Sequence, residues 1–279
     1  MMRKTKIRKA TGLTLNYGFL GIMAVFVLIP IIYIVGVSFN GGASLYSETL
    51  FPRNPTFDNY KKLITETDFL QWYINTIISG GITALLSVCF VAPTAYAFSR
   101  LRFKGRKNIL ITFLVLQMFP GMMAMVAYYV LLNMIGLLDT RLGLVLIYVG
   151  TAIPGNTWLL KGYLDTIPAA LEESAIIDGA NRIQILAKII LPLAIPMLVL
   201  VAVFSFAAPF GDYVLSRIVL TTPKNYTLAL GTYSFVAAEY GKNFTVFAAS
   251  SILAGLPISI IYLLLQKTMF AGIKGSVVR

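Results

Sequence analysis

Two adjacent carboxylates, Glu172 and Glu173, open the run EESAIIDGANRIQILAKIILP, which ends at Pro192. Carboxylates this close can receive cations from another molecule, and the inventory of the rest of the chain limits what other chemistry is available. There is no histidine and one cysteine, Cys89. Neither a Ser-His-Asp triad, nor an H-E-x-x-H zinc site, nor a thiolate cage can be assembled from that inventory. No G-x-x-x-x-G-K-[ST] loop occurs, so the chain has no P-loop to cradle a nucleotide. The expectation is a protein that is not an enzyme, with no catalytic residue, no cofactor and no metal. The paired acids then read as a docking device for a partner that supplies Arg or Lys.

The local pattern says how they are presented. Pro168 suits the first turn of a helix. Glu172 and Glu173 follow near its positive end, where acids are favourable. Leu171, Ser174, Ala175 and Asp178 form one narrow face of mostly short side chains. Gly179 can take the left-handed conformation that ends a helix. A second helix is predicted with Ile183, Leu186, Ala187 and Ile190 on one face, and Pro192 marks a turn into the next apolar segment. Such a helix–turn–helix can also rest on lipid as an amphipathic hairpin. Anionic headgroups would repel the paired glutamates, which argues against that alternative without removing it.

The surrounding chain is membrane-like. Of 279 residues, 58% are hydrophobic and 12% charged. A spanning helix needs about 20 mostly apolar residues. Six segments meet this, near Leu15–Ser38, Gln71–Phe98, Ile109–Leu131, Leu142–Leu160, Leu193–Leu215 and Phe247–Phe270. A further run, 225–238, is too short and polar to cross. Each span holds a proline, and kinks in every span would suit a bundle that changes shape, although membrane helices are generally richer in proline. The net charge of +12 could suggest nucleic acid. Its placement points elsewhere: 16 of 23 basic residues fall before Thr11, in Arg100–Lys107, in Lys161–Lys188 and in the C-terminal tail. By the positive-inside bias those segments are cytoplasmic, as are both termini, and 39–70 and 216–242 are external. Membrane lipid is the expected surface partner, and no nucleic acid. The eleven acids lie mostly outside the spans, with Asp212, near the outer end of the fifth, the main exception.

With those residues in view, EESAIIDGA followed by IILP resembles the EAA loop of permease subunits of ATP-binding-cassette (ABC) importers. Glu173, Ser174 and Ala175 match the E-A-A core, with Ser174 departing from alanine. Gly179 matches the family glycine, and Ile189, Leu191 and Pro192 the closing I-x-L-P. FPRNPTFDNY, WLLKGYLDTIP, YTLALGTYSF and the GIKG tail are similar to segments of the six-span maltose/maltodextrin permeases. The resemblance implies an all-α polytopic protein of the type I ABC importer permease fold. It has six transmembrane helices and a cytoplasmic coupling-helix loop, 162–191, within one permease domain, 1–279. It implies half of a translocation pore for a sugar or oligosaccharide in the bacterial inner membrane. The implied partners are a second homologous permease, two cytoplasmic ATPase subunits and an extracellular or periplasmic sugar-binding protein. Glu172, Glu173, Ser174, Ala175, Asp178 and Gly179 would form the ATPase-docking loop, with Glu173 facing a basic residue of the ATPase. The tail 272–279 would reach into the ATPase dimer.

Two other readings stay open. A secondary transporter would need an inverted repeat and a mid-membrane acid, and neither is evident. A permease for a different sugar, such as a galacto-oligosaccharide, shares every feature above. The polar groups scattered in the spans, Asn75, Gln117, Asn156 and Ser205, more readily satisfy backbone or pack between helices than bind sugar. Tyr128, Tyr129 and Trp158 could stack on sugar but suit an aromatic belt. No substrate-binding residue is assigned.

Overall fold

The computed structural model describes residues 2–42, 50–237 and 243–277, with side chains from 13 to 269 within that range. The regular structure there is helical. In chain order the helices are α1 (Met2–Ser38), α2 (Asp58–Thr65), α3 (Phe69–Arg100), α4 (Arg106–Met118), α5 (Met125–Met134) and α6 (Arg141–Leu164). Then follow α7 (Ala170–Ile177), α8 (Arg182–Ile185), α9 (Leu191–Gly211), α10 (Val214–Val219), α11 (Leu228–Ser234) and α12 (Phe244–Val277). Among the described residues, five stretches are long and apolar enough to cross a membrane: Leu13–Ser38, Phe69–Arg100, Arg141–Leu164, Arg182–Gly211 and Phe244–Met269.

The sixth predicted span is broken. Between Met118 and Gly121 the chain bends by 91°. The expected continuous helix over Ile109–Leu131 is therefore two pieces. Proline supplies the cause: it has no N–H and disfavours the helical region for the residue before it. Phe119, just before Pro120, is extended, and a new turn starts when the Met123 N–H donates to the Pro120 carbonyl at 2.9 Å. Pro30, Pro93, Pro154, Pro196, Pro209 and Pro257 sit inside continuous helices. One proline breaks a span; the helices that hold the others continue past them.

Two compact units emerge, Met1–Thr67 with Ser234–Leu253, and Asp68–Tyr233 with Ala254–Arg279. In the first, the FPRNPTFDNY segment does structural work. The buried Asn59 amide donates to the Ser38 and Asn40 carbonyls at 2.9 and 2.8 Å, and its carbonyl accepts from Thr245 at 3.0 Å. Tyr60 hydrogen-bonds Ser38 and packs on Phe39. The motif pins the end of α1 to the start of α12.

In the second unit, α3, α6 and α9 form the core. Lipid is as apolar as leucine, so helices in a membrane associate through close packing of small residues rather than by hiding oil from water. Ala92, Ala95 and Ala194 line this contact. Gly80 allows the closest approach: a Cβ there would stand 2.7 Å from the Phe206 carbonyl of α9.

The loop 162–191 packs onto the same core through Ala175, Ile185 and Ile190. Three expectations change here. α7 begins after Pro168, at Ala170. No turn occurs at Pro192; α8 passes through a π-helical stretch, Leu186–Ile190, directly into α9. Of the expected inward face, Ile190 is buried and Leu186 is half-buried against the core, but Ile185 is buried in place of Ile183, which is 78% exposed, and Ala187 is exposed; Ile185 and Ile190 stand five apart, the spacing of a π turn. Span five also ends early, at Gly211 instead of Leu215, and the Asp212 carboxylate accepts from the Leu215 N–H at the start of α10.

Candidate functional site

Glu172 and Glu173 are both docking candidates, with Glu173 alone matched to the E-A-A core, and in the structure the two occupy different environments. One α-helical step is 100°, so neighbours face different ways. Glu172 points inward and is 4% exposed; Glu173 is exposed. The Glu172 carboxylate takes the Arg100 Nε at 2.5 Å and the Tyr96 hydroxyl at 3.1 Å. Tyr96 and Arg100 stand four apart on α3, one above the other on a single face. Arg100 also donates through Nη2 to the Leu164 carbonyl at 2.9 Å and the Ile167 carbonyl at 2.7 Å. Those carbonyls lie at the end of α6, where backbone acceptors lack helical partners. One guanidinium thus ties three elements: α3, the end of α6, and α7.

Beside it a second ion pair closes the same corner. Lys161 meets Asp165 at 2.5 Å, and Asp165 accepts from the Ser99 hydroxyl at 2.7 Å. The loop is therefore latched to the C-terminal end of α3 by charge-assisted hydrogen bonds, shielded at Glu172 and exposed at Asp165. It is not simply laid on a surface.

The turn is equally defined. Gly179 has φ +83°. Its N–H donates to the Ile176 carbonyl at 3.0 Å, and the Ala180 N–H to the Ala175 carbonyl at 2.9 Å. That pair is a Schellman ending, which requires the left-handed residue the sequence places there. Asn181 and Gln184 then form a reciprocal capping box at 2.9 Å each way. Of the six docking candidates, Glu173, Ser174, Asp178 and Gly179 face outward, while Glu172 and Ala175 face the core. Ile177, 85% exposed, joins the outward set. Arg100 and Tyr96 were not candidates, although the first cation after an apolar span, four residues past a tyrosine, was a readable signal. The tail 272–279 lies outside the described side chains, as do parts of the loops 39–70 and 216–242.

The opposite end of α3 carries a second polar cluster. Trp72 Nε1 donates to the Pro223 carbonyl at 2.8 Å, and Asn75 Nδ2 to the Lys224 and Tyr226 carbonyls at 2.8 and 3.0 Å. Thr76 accepts from the Leu228 N–H at 2.7 Å. Asp139, in the left-handed region at φ 58°, accepts from the Thr221 and Thr222 N–H groups and the Thr222 hydroxyl. Partial burial pushes its carboxyl up, but the hydrogen bonds from Thr222 and Thr221 outweigh this and hold it below the usual aspartate value. Asn75 is thus a backbone clasp, as its sequence context suggested.

At the break between α4 and α5 lies a cavity of about 700 Å³ against α6. Gln117, Tyr128, Thr151 and Pro154 line it among aliphatic side chains, and no charged residue does. Tyr129 and Asn156 are not among its lining residues. The Ser205 hydroxyl is buried without a hydrogen-bond partner elsewhere.

Apolar helices long enough to span a membrane, one pair of them broken, with an acid-tipped helical hairpin latched to the end of another, define a polytopic membrane protein. Comparison with known proteins names the family. Residues 89–273 match the family model described as binding-protein-dependent transport system inner membrane component, and the chain belongs to that family. It is 43% identical to the galactooligosaccharides transport system permease protein GanQ of Bacillus subtilis (strain 168), over 98% of each chain. It is 42% identical to the maltodextrin transport system permease protein MdxG of the same organism, over 92% of this chain and 93% of that one. Among solved structures it is similar to a bacterial ABC transporter involved in the import of the acidic polysaccharide alginate. The TM-score is 0.79 at 27% identity, over 91% of this chain and 95% of that one. Family members are transport components of ABC importers, not enzymes.

Proposed function

We propose that this chain forms one half of an oligosaccharide pore and couples it to ATP hydrolysis in a partner through the hairpin 170–190. A single observation carries the reading. The hairpin is latched to α3 by Glu172 and Arg100, while Glu173, Ser174, Ile177 and Asp178 are left facing outward. A surface that is rigidly backed, small-faced and acidic suits a groove on an ATPase that supplies Arg or Lys. Packing of Ala175, Ile185 and Ile190 into the core favours this over a hairpin resting on lipid.

The α3 C-terminal end and the hairpin then face the cytoplasm, in line with the basic-residue bias. The segment 219–230 at the other end of α3 faces outward, where a sugar-binding protein would dock. A second permease subunit completes the pore. The cargo class follows from the relatives' names and from the cavity lining, which suits a neutral oligosaccharide, a maltodextrin or galacto-oligosaccharide, better than an acidic one.

The test is ATP-driven uptake of both oligosaccharides into vesicles holding the whole transporter. Glu173→Lys reverses the docking charge, and cutting a buried charge pair at an interface costs about 2–5 kcal/mol. Gly179→Val places a β-branched residue at positive φ. Each is expected to lose ATPase co-purification or uptake while still inserting in the membrane. Normal assembly and uptake in both would remove the hairpin from the coupling role.

A further inference from the structure

We infer that the chain carries a built-in site for an anionic phospholipid at the start of α4, apart from the hairpin and from the pore. A cavity of about 640 Å³ opens there between α4 and the end of α6. Arg106, Lys107 and Lys161 line it, together with Asn108, Phe103 and Trp158, and no acid does. Lys161 shares its charge with Asp165. Arg106 donates one N–H to the Ser99 carbonyl at 3.3 Å. Arg106 and the exposed Lys107 therefore supply the positive field.

The backbone adds to that field. α4 begins after Gly105 with no side-chain cap and no acid in its first turn. A phosphate placed there meets the positive end of the helix; of its first N–H groups, that of Arg106 donates to the Phe103 carbonyl at 3.4 Å. Basic pockets between spanning helices at the membrane surface are where acidic headgroups are held.

What commits the site to a lipid rather than a soluble phosphate is its other wall. Trp158 donates its indole N–H to the Leu110 carbonyl at 3.1 Å, fixing the ring beside the cations. Below the charged rim, α4 presents Ile111, Leu114 and Val115, each between 44% and 53% exposed. A headgroup on Arg106 and Lys107 would lay its acyl chain along that apolar face. A small soluble anion would leave it bare.

Trp158 is the reporter. In the assembled transporter in lipid nanodiscs, its emission is the difference between wild type and Trp158→Phe. Tail-brominated phosphatidylglycerol or phosphatidylcholine is added as a minor lipid at equal mole fraction. Quenching by the glycerol lipid is expected to be several-fold greater. Arg106→Gln with Lys107→Gln should erase the difference, and Arg106→Lys with Lys107→Arg should keep it. If the double glutamine variant does not assemble, Lys107→Gln alone should still reduce the preference. Soluble glycerol phosphate should not displace the lipid. Equal quenching by the two lipids, a preference untouched by the glutamine variants, or displacement by glycerol phosphate would each overturn the assignment. None of these outcomes depends on ATP-driven uptake, so the site and the importer reading fail separately.

Discussion

Glu172 and Glu173 differ by one position and by environment. Breaking a buried ion pair by removing one member leaves the other charge uncompensated, at a cost of about 3–5 kcal/mol. Glu172→Ala should lower the thermal stability of the purified transporter, and Glu173→Ala, exposed, should leave it unchanged while weakening ATPase co-purification. The opposite ranking of the two melting temperatures would reverse their roles. This division was half-legible in the sequence. The acids and Gly179 stand out by type and spacing, and the Schellman turn followed from Gly179 alone. The inward partner did not, because Arg100 lies 72 residues away and reads as a topology charge until α3 and α7 are brought together. Asp139 offers a second residue-scale test. Its carboxyl is held below the ordinary aspartate value of 3.8. A depressed value contributes stability that is present above the ordinary value and lost as pH falls through the folded one. Hydrogen exchange at the Thr221 and Thr222 amides, corrected for intrinsic rates, should quicken on acidification below 3.8. In Asp139→Gly, which removes the acceptor and tolerates the positive φ, it should be quick already at neutral pH. Equal protection in both proteins at neutral pH would show that the carboxylate does not hold the loop.

Hydropathy finds where apolar helices lie but not where a helix is interrupted without a charge. Leu116, Met118, Phe119 and Met122 are as apolar as the residues around them, so the bend at Pro120 leaves no trace in a hydropathy window. Proline content did not single it out either, since the other spans carry prolines inside intact helices. Likewise the π stretch at Leu186–Ile190 puts Ile185 and Ile190, five apart, on one buried face, which a fixed period of 3.6 does not register. Sidedness can be read only through charge placement, and it yields an element-scale prediction. In a Cys89→Ala background, Lys104→Cys, between α3 and α4, should react with an impermeant thiol reagent only from the cytoplasmic side. Lys224→Cys, in the segment held by Trp72 and Asn75, should react only from outside. Labelling of both from one face would refute the arrangement, because the two positions flank opposite ends of α3.

α3 runs from one of these ends to the other. Its 32 residues span about 48 Å at 1.5 Å per residue. At one end Arg100 holds the hairpin; at the other Trp72, Asn75 and Thr76 hold the segment 223–228. Pro93 does not interrupt it. If the hairpin is the coupling element proposed above, a push on it would meet a helix that is not interrupted along its length. The fork matters for this. A guanidinium can satisfy Glu172 and two carbonyls at once, whereas a lysine ammonium on its flexible stem is a point charge that cannot keep the same geometry. Arg100→Lys keeps the charge that orients the chain and leaves Glu173, Ser174 and Asp178 untouched. It should insert, assemble and hydrolyse ATP. What should fall, several-fold, is sugar taken up per ATP hydrolysed, because the hairpin can then move without carrying α3. Both rates are measured on one vesicle preparation, so loss of protein cancels from the ratio. A ratio equal to wild type in Arg100→Lys, with assembly intact, would mean that movement of the hairpin reaches the pore by a route other than this latch.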